Sequence, residues 1–236
     1  MAYKLLEQFR SMFTGQPYLH RKSNQGDIVA SYLFEDLYDL GRSKKFVAAV
    51  KTQTSVSNRQ NKQVGLTKRR GDGTFGEKVP NAPHVVPPGL SVAVGEVATI
   101  EIGAEVKVLA KAMIKQLDRV GTDMENQVKE FKKHGGKPIC VGIIGVNRAP
   151  VYTSYEGKAV WKTDGKTYKH PIQEADDAER RLVTRVAPSF DEIIVLRFTV
   201  ANIAPFNDFQ WVDLKDTEMR YGAALVRISR EYEHRF

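Results

Sequence analysis

Cysteine is all but missing from this chain. Cys140 stands alone, so no internal disulfide can form and cysteine-built zinc sites are excluded. Its setting, Pro138-Ile139-Cys140-Val141-Gly142, reads as a small packing residue in an apolar strand. Long apolar runs are missing too: nothing approaches the ~20 residues a membrane-crossing helix needs. The opening Met1-Ala2-Tyr3-Lys4-Leu5-Leu6-Glu7 holds no signal-peptide core with a small-residue cleavage site. The expectation is a cytoplasmic protein with no membrane association. Several catalytic signatures are absent as well. There is no Gly-x-x-x-x-Gly-Lys-Ser/Thr loop and no Gly-x-Ser-x-Gly elbow. Gly142-Ile143-Ile144-Gly145 lacks the spacing of a dinucleotide turn. The histidines at 20, 84, 134, 170 and 234 are scattered, with no paired metal spacing.

Acid is missing from one stretch in particular. Between Arg42 and Arg70 there is no Asp or Glu, while Arg42, Lys44, Lys45, Lys51, Arg59, Lys62, Lys68, Arg69 and Arg70 are basic. The stretch is also rich in Gln, Asn, Ser and Thr, which hydrogen-bond phosphates and base edges. The whole chain carries a net charge of +8, which favours polyanionic partners. Together these predict a nucleic-acid-facing segment.

The 236 residues, 42% of them hydrophobic, suffice for one sizeable α/β domain, and no stretch reads as a linker between two. Apolar spacing predicts a helix over 27–40 and a strand over 46–53. A polar loop or exposed hairpin follows over 55–73, then an irregular, proline-punctuated stretch over 79–89. A strand is predicted over 97–109, then a strongly amphipathic helix over 109–133. The unbroken apolar run 139–146 predicts a buried strand. Beyond it come a hairpin around Asp164-Gly165, a charged helix over 173–186, a strand over 192–201 and a closing helix over 216–233. This order means an α/β layer fold with a mixed sheet.

Glu105 and Lys107 carry the clearest chemical signal. Two apart on a strand, they project from the same face, about 7 Å apart by strand rise. A carboxylate and an ammonium leaving a mostly buried strand together need a reason, since burying unpaired charge is costly. One reason is a cross-strand salt bridge. The other is a metal site, in which the carboxylate takes a divalent cation and the lysine acts on the water beside a phosphate. Magnesium suits it, preferring oxygen ligands and keeping several waters. On the helix that follows, Lys111, Lys115 and Arg119 form a basic row opposite the apolar stripe. Gln127 falls on the apolar side, where a polar residue is unexpected; it is either satisfied by backbone or directed at the reacting centre.

At this point the chain resembles the PD-(D/E)xK nuclease superfamily, over about residues 25–147. The resemblance rests on the order helix, three strands, helix, strand and on Glu105-Val106-Lys107, which matches the (Asp/Glu)-x-Lys half of the signature. It implies a restriction-endonuclease-like fold, a mixed β-sheet flanked by helices, with residues 148–236 as C-terminal additions. It implies a Mg2+-dependent DNA endonuclease, restriction-type and homodimeric; a non-catalytic nucleic-acid-binding protein and an RNA or single-strand nuclease are the rival readings. Gln127 to Phe131 fits a Gln-x-x-x-aromatic motif, and Glu35 fits a first-helix glutamate, with Asp36 as its competitor. The first acidic metal ligand has three candidates: Asp72, Glu101 and Glu96. No Pro-Asp pair exists to mark it.

Overall fold

The computed structural model describes residues 2–20, 25–58, 72–133, 136–156, 159–163 and 171–236. Helix α1 spans Lys4–Ser11, α2 Gln25–Leu40 and α3 Lys44–Thr52. Strands β1 (Ser55–Asn58), β2 (Gly73–Lys78), β3 (His84–Val85), β4 (Val94–Gly95) and β5 (Val97–Leu109) follow. Next come α4 (Met113–Lys132), β6 (Ile139–Asn147), the pair β7 (Tyr152–Glu156) and β8 (Ala159–Thr163), and α5 (Pro171–Val186). A 3-10 turn at Ala187–Ser189, β9 (Glu192–Thr199), β10 (Gln210–Trp211) and α6 (Leu214–Arg235) complete the chain.

Eight strands form one sheet in the order β10-β9-β6-β5-β2-β1-β4-β3. β5, β6 and β9 run parallel, and β2 is antiparallel to β5, so the sheet is mixed. Every residue of β6 is buried, as its unbroken apolar run requires. The alternation of β5 splits two cores. Ile102, Ala104 and Val106 join the side packed by α1, α2 and α6. Leu109 joins Met113, Val120, Met124 and Phe131 of α4 and Leu182 of α5 on the other. Gly103 faces α4, where a Cβ would sit 2.4 Å from the Phe131 ring. The C-terminal residues are built into this sheet: β9 extends it beside β6, and Tyr232 of α6 packs edge-on against Phe46 and tilted against Phe75.

Several sequence expectations need correction. The strand expected over 46–53 is helix α3. Ser43 Oγ accepts from Phe46 N at 3.1 Å, capping its start. Phe46 and Val50, one helical turn apart, bury together, and Gln53 ends the helix in the left-handed region at φ 55°. The polar stretch 55–73 opens with β1, fully buried, while residues 59–71 lie outside the described residues. The late hairpin pairs Glu156 with Ala159, upstream of Asp164-Gly165, which also lies outside the described residues. Helix α4 starts at Met113 rather than Leu109, because β5 runs through Leu109 and Ala112 turns the chain at φ 42°. Among the described residues no helix is long and apolar enough to cross a membrane.

Candidate metal and phosphate centre

β2 and β5 place the central carboxylates side by side. Gly73 is paired with Ala104, so Asp72, one residue before β2, stands beside Glu105. Asp72 Oδ2 accepts the Val106 backbone N–H at 2.8 Å, which fixes its carboxylate at the middle of β5. Helix α2 closes over it at Gly26, where a Cβ would lie 2.3 Å from Asp72 Oδ1 and would push the carboxylate aside.

Glu105 is 4% exposed and ion-paired with Lys107 through Oε1. Its other oxygen, Oε2, is buried and has no hydrogen-bond partner among the described residues. Burial, then the negative charge of Asp72, pushes the Glu105 carboxyl up to about 7, against the opposing pull of Lys107 and of the Asp72 backbone N–H. Burial acts to lower the Lys107 ammonium, but the carboxylates of Glu105 and Asp72, with a further contribution from Asp123 on α4, hold it above its usual range. Lys107 therefore keeps its proton, and Glu105 is the group that titrates near neutrality.

Gln127 is 1% exposed, and its Nε2 also has no partner among the described residues. α4 runs back along β5. Phe131 touches Gly103, and one helical turn back toward the α4 start covers about 6 Å, as do two residues forward along β5. Gln127 thus lies level with Glu105, and Asp123, a turn further on, lies level with Lys107. Asp123 escaped the sequence reading because only the antiparallel return of α4 brings it there. Tyr18, from the segment before α2, was missed in the same way. It is deeply buried, and the charge of Asp72 adds to burial in raising its hydroxyl; Asn202 holds its backbone N–H at 2.8 Å.

Other predicted residues lie elsewhere. Glu101 does not share a face with Glu105. The register jumps from Phe75–Ile102 to Gly76–Ile100, leaving Glu101 in a bulge. Its carboxylate turns to the α6 side and accepts from Tyr232 at 2.5 Å and Ser55 at 3.4 Å. Glu96 precedes β5, nine residues and roughly 30 Å of strand from Glu105. Glu35 is fully buried but engaged: its carboxylate accepts Ser91 N at 3.0 Å and Val92 N at 2.8 Å, with Lys4 Nζ at 3.4 Å. Asp36 accepts the N–H groups of Lys4 and Leu5, which open α1, and the Tyr221 hydroxyl. Both carboxylates are fasteners for neighbouring segments, and neither is brought to the Asp72–Glu105 pair.

The basic candidates divide. Lys111, directly after β5, donates to Ser154 at 2.6 Å. Lys115 and Lys51 are exposed, on α4 and at the end of α3. Arg59, Lys62, Lys68, Arg69 and Arg70 lie outside the described residues, immediately before Asp72 in the chain. The Cys140 thiol is buried and pushed up to about 12, a packing group.

Among the described residues no three His, Cys, Asp or Glu side chains cluster as metal ligands. Two carboxylates, Asp72 and Glu105, are nevertheless a donor set Mg2+ accepts, since it completes its octahedron with water. The partnerless Glu105 oxygen fits such an ion: a buried acceptor without a donor is what a cation satisfies. No protein-family model, no curated protein and no solved structure matches the chain.

Proposed function

We propose that this protein is a Mg2+-dependent phosphodiesterase that cuts DNA, with the site arrangement and the sheet of a PD-(D/E)xK, restriction-endonuclease-like enzyme. One observation carries the reading: Asp72, one residue before β2, adjoins Glu105 of β5, whose Oε2 is buried without a partner among the described residues and which has the Lys107 ammonium beside it. Asp72 and Glu105 would hold the cation. When bound, Mg2+ neutralises charge on the scissile phosphate and acidifies a water. Asp72 is oriented by its bond from Val106. With Glu105 engaged by a cation, the Lys107 ammonium would be free to balance the charge that grows on the phosphate oxygens. Gln127, at the level of Glu105, offers an amide N–H2 to the same space. The basic segment ends at Arg70, two residues before Asp72 in the sequence, so a nucleic-acid backbone held by it would lie near the candidate pair. Cytoplasmic location and action as a homodimer, one site per strand, belong to the same reading.

The test is cleavage of supercoiled plasmid by the purified protein with Mg2+, with EDTA, and with Glu105→Ala and Lys107→Ala. Cleavage that needs Mg2+ and fails in both variants, while DNA binding survives, supports the proposal. Binding without cleavage in the wild type overturns it in favour of a non-catalytic DNA-binding protein. Cleavage of RNA or single strands alone replaces the substrate but keeps the site.

A further inference from the structure

β9 is left half-covered at the sheet edge. Its inner side is paired with β6 from Glu192 to Phe198. On its outer side β10 pairs only with Phe198 and Thr199, and Val212 N adds one bond to Arg197 O at 3.1 Å. Asp213 then caps α6 and takes the chain away from the sheet. The direction of each backbone group follows from two bonds. Arg148 N donates to Phe198 O, on the β6 side, while Arg197 O faces β10. By alternation Ile193 and Val195 turn their N–H and C=O groups outward. Among the described residues no backbone partner meets these four groups.

The space beside them is shaped. A groove of about 260 Å³ runs between this edge and α6, lined by Ile193, Val195, Thr217, Arg220, Ala224 and Arg227. Its two faces differ chemically. Toward α5, the half-buried Ile193 and Val195 are apolar. Toward α6, Arg220 and Arg227 have side chains 63% and 56% exposed, and each has one carboxylate, Asp216 or Glu192, against it. An open edge of this kind invites strand addition.

We propose that the β9 edge is a docking site for an extended acidic segment of a partner protein. The segment continues the line of β10, antiparallel to β9, and exchanges hydrogen bonds with Ile193 and Val195. Its side chains alternate, as strand geometry requires. Acidic ones meet Arg220 and Arg227, and β-branched ones cover Ile193 and Val195. The site is two strands from β5 in the sheet and is independent of the nuclease reading.

The test uses the full chain and two seven-residue capped peptides, one alternating glutamate with valine, the other lysine with valine, titrated by fluorescence anisotropy and by amide NMR. The glutamate peptide binds saturably, and the amides of Ile193 and Val195 shift first. Val195→Pro deletes an outward N–H without removing a bond inside the protein, and weakens binding about tenfold. Exchange of both surface arginines, Arg220→Glu with Arg227→Glu, reverses the preference to the lysine peptide. Three results overturn the proposal: no saturable binding of the glutamate peptide at millimolar concentration, equal binding of both peptides, or a wild-type dimer that Val195→Pro splits. The last would mean that a second copy occupies the edge.

Discussion

Glu105 is the residue on which the site turns, and its protonation makes a signed prediction. Its folded carboxyl titrates near 7, above the ordinary 4.5, because burial and Asp72 disfavour its charge. A carboxyl raised in this way stabilises the fold while protonated, fully below the unfolded pKa, and that contribution is lost as pH rises through the folded value. Without divalent metal, wild-type stability relative to Glu105→Gln therefore falls between about pH 4.5 and 7. At pH 8 the glutamine variant is the more stable, by up to roughly 3 kcal/mol at ~1.4 kcal/mol per pKa unit. Thermal melts of both proteins across that range check this; parallel curves would mean Glu105 is already charged at low pH. If Mg2+ binds as proposed it must expel the Glu105 proton, so metal affinity and cleavage should both rise through pH 7. The same variant loses cleavage by on the order of 10³-fold. A stabilising substitution that destroys activity is the signature of a functional, strained position.

At the scale of elements, the β5 bulge separates Glu105 from Glu101, one of the candidates for its metal partner. Glu105 faces α4, while Glu101 is fastened to Tyr232 of α6. Tyr232→Phe should therefore cost about 1–2 kcal/mol of stability and leave the Mg2+ dependence of cleavage unaltered. Glu35→Ala should behave alike but more severely, about 2–3 kcal/mol, because Ser91 N and Val92 N lose their acceptor. Denaturant melts beside a metal titration of cleavage distinguish both from Glu105. These elements also show what a sequence discloses. β5, β6 and α4 were legible because burial imposes a period of two, an unbroken apolar run and a 3.6-residue stripe. The pairing of Glu105 with Lys107 follows from strand geometry alone. Asp72 was legible only as one of three acids, since which acid reaches Glu105 is decided by the β2–β5 register. The bulge is a property of two strands together, and Glu101 alone gives no sign of it. The setting of Glu35 was not legible for a related reason: a buried carboxylate on a helix looks the same in sequence whether it meets a metal or, as here, the N–H groups of a distant loop. Helix α3 read as a strand because Phe46, Val47 and Val50 satisfy either period until the Ser43 cap decides it.

For the whole molecule, the excess of eight positive charges makes the proposed DNA binding testable through its salt dependence. Lys107 sits beside the carboxylates and can balance one phosphate at most, so the salt dependence of binding would test the other basic residues. The basic segment up to Arg70 is different: it holds no acid of its own and joins the chain at Asp72. On the proposed reading, phosphates held by this segment would lie near Asp72 in the chain, whereas Lys115 and Arg119 lie on the exposed side of α4, whose opposite face packs on β5. Each phosphate contact contributes about −0.9 to the slope of log affinity against log salt. Replacing Lys68, Arg69 and Arg70 with Gln should thus make the slope shallower by up to about three and weaken unrelated sequences equally. Anisotropy titrations of a labelled duplex at several salt concentrations, in Ca2+ so that binding is read without turnover, measure it. An unchanged slope would move the track to Lys111, Lys115 and Arg119. A slope that falls together with a change in sequence preference would mean that one of the three reads a base edge as well as a phosphate.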